Sequence, residues 1–169
     1  LHFYYSHLDW SREDYPWGRT GRGTGRPNPQ GDWKSYYQFM NNQLTELLTN
    51  YGKIDMLCLD QWLGADVWKE TKATIKMIRQ LQPDIMIRCR GIGNYGDYYT
   101  PEKFVPENKE NTNMPWMVIY PLASSFSYDK DARNYKGAQW IIENLTDAVA
   151  KGGSFMVGIG PDGMGRFHP

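Results

Sequence analysis

The sequence predicts an α/β fold in which strand–helix units repeat around a parallel sheet. Short apolar runs begin near residues 54, 85 and 116, so successive strands start 31 residues apart (85 − 54 and 116 − 85). This spacing is typical of one βα repeat, and strands that are joined through helices run parallel. With 169 residues the chain can bury one core, but it is shorter than the roughly 250 residues of a complete (β/α)8 barrel.

The first predicted elements are a short strand at Phe3–Ser6, a loop rich in Gly and Pro from Asp14 to Asp32, and a long helix. Asp32 is the predicted N-cap of this helix and Gly52 its predicted C-cap. Apolar and aromatic residues recur along the helix at three- and four-residue spacing, at Trp33, Tyr37, Met40, Leu44, Leu47 and Tyr51.

The remaining elements continue the alternation of strands and helices. Strands are predicted at 54–59, 85–89, 116–120 and 155–159, and helices at 67–81 and 135–150. Functional groups in parallel sheets lie just beyond the carboxyl ends of the strands. The segments expected at that edge are residue 60 and the stretches 90–102, 120–128 and 160–166.

The charge balance indicates a neutral partner. The chain has 19 basic and 19 acidic residues, so it has no overall field that would attract nucleic acid or an anionic membrane surface. Aromatic residues make up 15% of the chain, and their rings are suited to stacking on the apolar faces of sugars. We therefore expect neither a nucleic acid nor a membrane as partner.

The cysteines and histidines give no sign of a metal or a cofactor. Cys58 and Cys89 both lie in apolar runs and are expected to be buried free thiols. The three histidines, His2, His7 and His168, lack the spacing of metal ligands. Two segments match G-x-G-x-x-G, at 91–96 and 158–163, but no helix is predicted directly after either, so a dinucleotide site is not favoured.

Asp60 is the first candidate catalytic residue, because it ends the strand Ile54–Leu59 and Trp62 follows two residues later. A carboxylate at this place can attack an anomeric carbon, but it can equally cap a helix or form a structural ion pair. Arg88 and Arg90 alternate out of the next strand and share a face. Either arginine could bind a sugar hydroxyl or orient the carboxylate, and a structural salt bridge is the favoured role for Arg88.

A second carboxylate, Glu102, follows one strand later in the segment Thr100-Pro101-Glu102. Retaining glycosidases need two carboxyl groups about 5–5.5 Å apart, one as nucleophile and one as acid and base. Two acids at neighbouring strand ends can meet this requirement. The pair is weakly specific by itself, because parallel α/β proteins commonly carry acids there.

Several motifs occur in a characteristic order along nearly the whole chain. They are Tyr4-Tyr5-Ser6, Asp9-Trp10, Gln43-Leu44, Glu46-Leu47-Leu48-Thr49-Asn50-Tyr51-Gly52, Ile54-Asp55, Asp60, Leu81-Gln82-Pro83-Asp84-Ile85, Gly96-Asp97-Tyr98, Thr100-Pro101-Glu102, Lys151-Gly152-Gly153 and Ile159-Gly160-Pro161. As an ordered set they resemble the retaining α-L-fucosidases, glycoside hydrolase family 29. This resemblance implies a TIM-like (β/α)8 barrel, in which residues 1–169 form a partial catalytic domain with about the last five strands. The remaining strands are expected from sequence preceding Leu1.

The resemblance also implies roles for individual residues. Asp60 would be the nucleophile that forms a covalent glycosyl-enzyme intermediate, Glu102 the acid/base, and Arg90 a ligand of fucose. Further sugar contacts are predicted at Tyr5, Trp10, Trp62, Phe126 and Tyr128, the last two lining an apolar wall for the C6 methyl group. The implied substrate is a fucosylated glycan, without cofactor or metal, and the implied location is secreted, periplasmic or lysosomal.

The chain departs from the family pattern near these residues. Some members of the family use a Glu directly after a Trp on the next strand as acid/base, whereas Met117 follows Trp116 here. Leu-Cys-Leu precedes Asp60 in place of Leu-Trp-Phe, and Arg88-Cys89 replaces Asn-Asp before Arg90. Two alternatives therefore stay open: a carbohydrate-binding relative without hydrolytic activity, and a barrel glycosidase that acts on another sugar.

Overall fold

The computed structural model describes residues 1–16, 28, 30–106 and 114–167. Most of the predicted loop from Asp14 to Asp32, and also His168, lie outside these residues. The chain divides into two compact units, Leu1–Asp97 and Tyr98–Pro169.

The first unit contains a three-stranded parallel sheet with two helices. Its elements are β1 (His2–Ser6), α1 (Trp33–Asn50), β2 (Met56–Asp60), a 3₁₀ turn (Ala65–Val67), α2 (Trp68–Leu81), β3 (Met86–Ile87) and a second 3₁₀ turn (Gly93–Tyr95). The strand order is β1-β2-β3, with His2 opposite Met56 and Met56 opposite Met86. These pairings confirm the predicted parallel βα repeats in this unit.

The second unit contains the parallel pair β4 (Met117–Pro121) and β5 (Ser154–Gly158), joined through α3 (Ala138–Ala150). Its core consists of Trp116, Val118, Tyr120 and Ala148. Trp116 also lies against the backbone of Gly153, where no side chain could be accommodated. The predicted helix at 135–150 and the predicted strand at 155–159 are therefore confirmed, with ends shifted by one to three residues.

Helix α1 begins where the sequence predicts, because the carboxylate of Asp32 accepts hydrogen bonds from the backbone amides of Lys34 at 2.9 Å and Ser35 at 3.3 Å. Gly52 follows the C-cap residue Tyr51 with a φ of +79°, a left-handed conformation that glycine adopts easily. The buried face of the helix follows only some of the recurring apolar positions. The helix buries Tyr36, Tyr37, Met40, Leu44 and Leu48, whereas Leu47 is half-buried and Tyr51 is exposed.

Strand β3 is shorter than the predicted strand at 85–89, although the Arg88 amide still donates to the Leu57 carbonyl of β2 at 2.9 Å. Asp97 binds the other edge of β3. The backbone amide of Asp97 donates to the carbonyl of Ile87 at 2.7 Å, and its carboxylate accepts from the Ile87 amide at 2.8 Å. Arg79 holds the same carboxylate at 2.9 Å. Arg88 therefore lies directly after β3 and is still bonded to β2, whereas Arg90 lies in the turn that follows.

Successive side chains along each strand point to opposite faces of the three-stranded sheet. Phe3, Tyr5, Leu57 and Leu59 pack in the core beneath the helices. The side chains between them, Tyr4, Cys58 and Asp60, therefore lie on the opposite face. This second face is polar and carries the candidate nucleophile.

Candidate active site

Asp60 is buried at the carboxyl end of β2, with 6% of its surface exposed. The hydroxyl of Tyr4 donates to its Oδ2 at 2.6 Å. Its Oδ1 accepts from Nη1 of Arg90 at 3.0 Å and from Nη1 of Arg88 at 3.3 Å. Both carboxylate oxygens therefore have fixed partners, and the group is held in one orientation.

These partners keep Asp60 ionised. Burial by itself raises the pKa of Asp60, but the hydrogen bond from Tyr4 and the positive charges of Arg90 and Arg88 outweigh burial. The net effect is a pKa below the ordinary range of an aspartic acid. A nucleophilic carboxylate must be ionised to attack, and at neutral pH this one is.

Arg88 and Arg90 bind the same oxygen from different environments. Arg88 has 1% of its surface exposed, and its Nη1 also contacts the sulfur of Cys58 at 2.9 Å. The side chain of Arg90 is 36% exposed. Arg88 and Arg90 thus both form ion pairs with the candidate nucleophile.

Tyr4 is a site residue that was not predicted from the sequence, and it is bound to the candidate nucleophile Asp60. Tyr5, which was predicted, lies on the opposite face of β1, where its hydroxyl donates to Gln43 of α1 at 2.7 Å. The structure therefore does not bring Tyr5 to Asp60. Strand alternation could have identified Tyr4. Parallel pairing places Tyr4 opposite Cys58 and Ser6 opposite Asp60, so Tyr4 lies on the sheet face that carries Asp60.

The backbone around Asp60 is braced by two neighbouring segments. The amide of His7 donates to the carbonyl of Asp60 at 3.0 Å, and the buried ring of His7 meets the carbonyl of Gln61 through Nδ1 at 3.0 Å. On the other side Gly91 approaches so closely that a Cβ there would lie 2.6 Å from the Gln61 carbonyl oxygen. Gln61 itself has a φ of +72°, so the chain turns sharply directly after Asp60.

Two exposed tryptophans follow the carboxyl ends of β1 and β2. Trp10 is 42% exposed and Trp62 is 56% exposed. Because β1 and β2 run parallel, both tryptophans follow strand ends at the same edge of the sheet as Asp60. Large exposed aromatic side chains at such an edge are suited to stacking on a sugar ring.

The second unit holds Glu102, Phe126 and Tyr128. Glu102 is half-buried in an isolated parallel bridge opposite Ile119 of β4. Phe126 lies beside the end of β5, where a Cβ on Gly158 would be 3.1 Å from its ring, and Lys103 Nζ is 5.7 Å from the ring centroid. Tyr128 is 45% exposed. Met117, at the rival acid/base position, is half-buried in β4.

Both cysteines are free thiols, as predicted, but only Cys58 is buried, whereas Cys89 is half-buried. Within the described ranges, no three His, Cys, Asp or Glu side chains are grouped in a way that could hold a metal ion. In the same part of the chain, no helix has the length and apolarity needed to cross a membrane.

The chain is similar to known proteins in sequence and in fold. The family model described as alpha-L-fucosidase matches residues 1–169. Alpha-L-fucosidase isoenzyme 1 from Paenibacillus thiaminolyticus is 30% identical, with a TM-score of 0.83 over 98% of this chain and 44% of its own. The enzymes of Vibrio sp. strain EJY3 and Bacteroides thetaiotaomicron are each 25% identical, with TM-scores of 0.84 and 0.82.

The matches cover nearly all of this chain but less than half of each of these three structures. The matches span 98% and 99% of this chain but only 30% of the Vibrio enzyme and 42% of the Bacteroides enzyme. The chain therefore spans less than half the length of each of the three structures. No curated protein matches it significantly. Because the family model covers every residue, the chain belongs to the α-L-fucosidase family.

Proposed function

We propose that the protein carrying this chain is a retaining exo-glycosidase that hydrolyses terminal α-L-fucosides of fucosylated glycans. The observation that carries the proposal is the carboxylate of Asp60, buried at a strand end and kept ionised by Tyr4, Arg90 and Arg88. Membership of the α-L-fucosidase family supports the choice of sugar.

In the proposed reaction Asp60 attacks the anomeric carbon while the bond to the aglycone oxygen breaks. Glu102 donates the proton that the leaving oxygen needs. The product of this step is a fucosyl ester of Asp60. Glu102, now a carboxylate, then takes a proton from water, which displaces Asp60 and releases fucose with its original configuration.

We propose further that the sugar is bound by Arg90 and by aromatic side chains. Trp10 and Trp62 are exposed at the strand edge that carries Asp60. Phe126 and Tyr128 are the candidates for the wall against the C6 methyl group, and both are partly exposed. Tyr5 stays a weaker candidate because its hydroxyl is bound to Gln43.

We also propose that the chain supplies about the last five strands of a TIM-like (β/α)8 barrel, with the remaining strands coming from sequence preceding Leu1. The parallel ladders in both units support this arrangement. So does the coverage of the Paenibacillus enzyme, since the whole described fold matches 44% of that chain.

The second candidate function is sugar binding without hydrolysis, which is favoured by Met117. A methionine cannot transfer a proton, so a protein that depended on this position for its acid/base would bind fucosides and leave them intact. Turnover of an aryl α-L-fucoside by the whole protein, compared with binding of fucose, separates the two functions. A panel of other aryl glycosides tests for a different sugar.

The nucleophile is tested by Asp60→Asn and Asp60→Ala in the whole protein. Both variants should abolish turnover of aryl and natural fucosides, because no other group would attack the anomeric carbon. Asp55→Asn is the matched control, since Asp55 is exposed and lies before the same strand. In Asp60→Ala, added azide should restore slow cleavage and give the β-fucosyl azide. Activity of either Asp60 variant within about tenfold of the parent would refute the assignment.

A further inference from the structure

The guanidinium of Arg88 has one edge with partners and one edge without. Its Nη1 contacts Asp60 and Cys58. Its Nε and Nη2 have no hydrogen-bond partner among the described residues, although Arg88 is 1% exposed. Buried N–H groups in folded proteins are nearly always paired, because leaving them unpaired costs free energy. The open edge of Arg88 therefore indicates a missing acceptor.

Another arginine of the same chain shows which acceptor fits this edge. In Arg12, Nε donates to Oδ1 of Asp14 and Nη2 donates to Oδ2 of Asp14, both at 2.7 Å. The Nε–Nη2 edge thus presents two parallel donors that match two oxygens of one planar group. A single hydroxyl would satisfy only half of the edge. The acceptor that fits Arg88 is an oxyanion with two suitably spaced oxygens.

The charge of Arg88 also favours an anion. It acts across the sheet face, where burial and then Arg88 lower the pKa of His2. An anion at the open edge of Arg88 would therefore be attracted by the guanidinium charge.

We propose that the Nε–Nη2 edge of Arg88 is a binding site for an oxyanion with two paired oxygens, a carboxylate or a sulfate, beside Asp60. The oxyanion is either a free small anion or an acidic substituent of the glycan, such as a sulfate ester or a uronic acid. Binding of the anion does not depend on hydrolysis. Only its assignment to an acidic glycan rests on the proposed function.

The test is calorimetric titration of the whole protein with formate and with inorganic sulfate, in chloride buffer at constant ionic strength. We expect one saturable site in the parent protein. Arg88→Lys keeps the charge and loses the paired donors, so it should weaken binding on the order of tenfold or more. Arg12→Lys is the matched control, because its paired donors already hold Asp14, and it should bind the anions like the parent.

Three outcomes would overturn the proposal. The first is the absence of a saturable formate or sulfate site in the parent protein, a measurement that does not depend on whether a variant folds. The second is an equal loss of binding in Arg88→Lys and Arg12→Lys. The third is an Arg88→Lys variant that binds formate and sulfate as tightly as the parent, which would show that the paired donors of Arg88 do not hold the anion.

Titration with fucose and with sulfated fucose identifies the source of the anion. If the glycan supplies it, sulfated fucose should bind the parent more tightly than fucose, lose this advantage in Arg88→Lys and compete with formate. Equal binding of the two sugars, without competition, assigns the site to a free anion. Free sugars have no aglycone to lose, so the result does not depend on turnover and is distinguishable from a failure of the proposed function.

Discussion

The hydroxyl of Tyr4 makes a testable contribution to the acidity of Asp60. The hydrogen bond from Tyr4 lowers the pKa of Asp60, so Tyr4→Phe should raise it. If Asp60 is the nucleophile, activity is lost as the pH falls through this pKa. The acid limb of kcat/KM for an aryl fucoside should therefore move to higher pH in Tyr4→Phe.

Tyr37→Phe is the matched control for this shift. Tyr37 is a buried tyrosine whose hydroxyl meets Thr71 at 2.7 Å, away from Asp60. Loss of the Tyr37 hydroxyl should lower the stability of the protein and leave the acid limb of kcat/KM at the same pH. An unmoved acid limb in Tyr4→Phe, over profiles from about pH 3 to 7, would show that Tyr4 does not set the ionisation of the nucleophile.

The proposed acid/base role of Glu102 predicts a dependence on the leaving group. Protonation matters for a sugar alcohol and matters little for dinitrophenolate or fluoride. Glu102→Gln should therefore reduce turnover of natural oligosaccharides on the order of 10²–10⁴-fold. Formation of the intermediate from an activated fucoside should be nearly unchanged, and its hydrolysis should become limiting. Stopped-flow measurement should then show a burst of aglycone.

Equal losses on both types of substrate, without a burst, would mean that Glu102 only positions the substrate. Asp97 is then a poor replacement, because Arg79 and the amide of Ile87 already hold its carboxylate. Glu107 lies outside the described residues. The candidates for the acid/base would then be Glu107 and acidic residues in sequence preceding Leu1.

Sequence reasoning located the nucleophile candidate and one of its partners, but it did not locate the whole cluster. The strand pattern places Asp60 at a strand end, and Arg90 meets it there. Choosing between Tyr4 and Tyr5 needed the pairing of β1 with β2, since adjacent residues on a strand face opposite sides. The open edge of Arg88 could not be predicted, because it depends on which neighbouring donors and acceptors are already paired.

At the scale of elements, the turn after β2 depends on the close approach of Gly91. Its φ is +75°, and a Cβ would lie 2.6 Å from the Gln61 carbonyl oxygen and 3.1 Å from the Trp62 Cα. Gly91→Ala should therefore cost more than the roughly 1–3 kcal/mol of left-handed strain alone. It should also displace the strand end that carries Asp60. We expect a lower melting temperature and a lower kcat/KM.

Gly93 offers a control two residues away. Its φ is +53°, but nothing lies within 4 Å of a Cβ built there. Gly93→Ala should show the left-handed strain without the contact with the β2 turn. If thermal melts and kcat/KM of the two variants are the same, the close approach of Gly91 does not position the turn.

Some boundaries of helices and strands have a local signal in the sequence, and others do not. Asp32 caps α1 through its own side chain, a local signal that the sequence displays. Strand β3 has no such local signal, since Asp97, ten residues later, binds Ile87 on the edge away from β2. The buried face of α1 continues from Leu44 to Leu48 at four-residue spacing. A three-residue step to Leu47 fits the sequence equally well, and packing decides between them.

For the molecule as a whole, residues 1–169 expressed alone should aggregate or form a molten state. β1 is an edge strand of the described sheet and has one partner, β2. Helix α3 exposes Ile142, Leu145 and Val149 at 61%, 43% and 59%. Gel filtration, dye binding and thermal melts would check this, with the whole protein as control. A monomer with a sharp cooperative melt would contradict the truncated-barrel hypothesis.

The parallel ladders also have a consequence for biosynthesis. His2 pairs with Met56, so the two partners in the first ladder are 54 positions apart (56 − 2). At roughly 5–20 residues per second, the ribosome needs about 3–11 s to make the intervening segment. During this interval β1 has no β2 to pair with, and its backbone groups stay available to other chains. Distant pairing also slows folding, because the intervening loop must close first. Chaperone binding to the nascent chain should therefore be strongest before residue 56 leaves the exit tunnel.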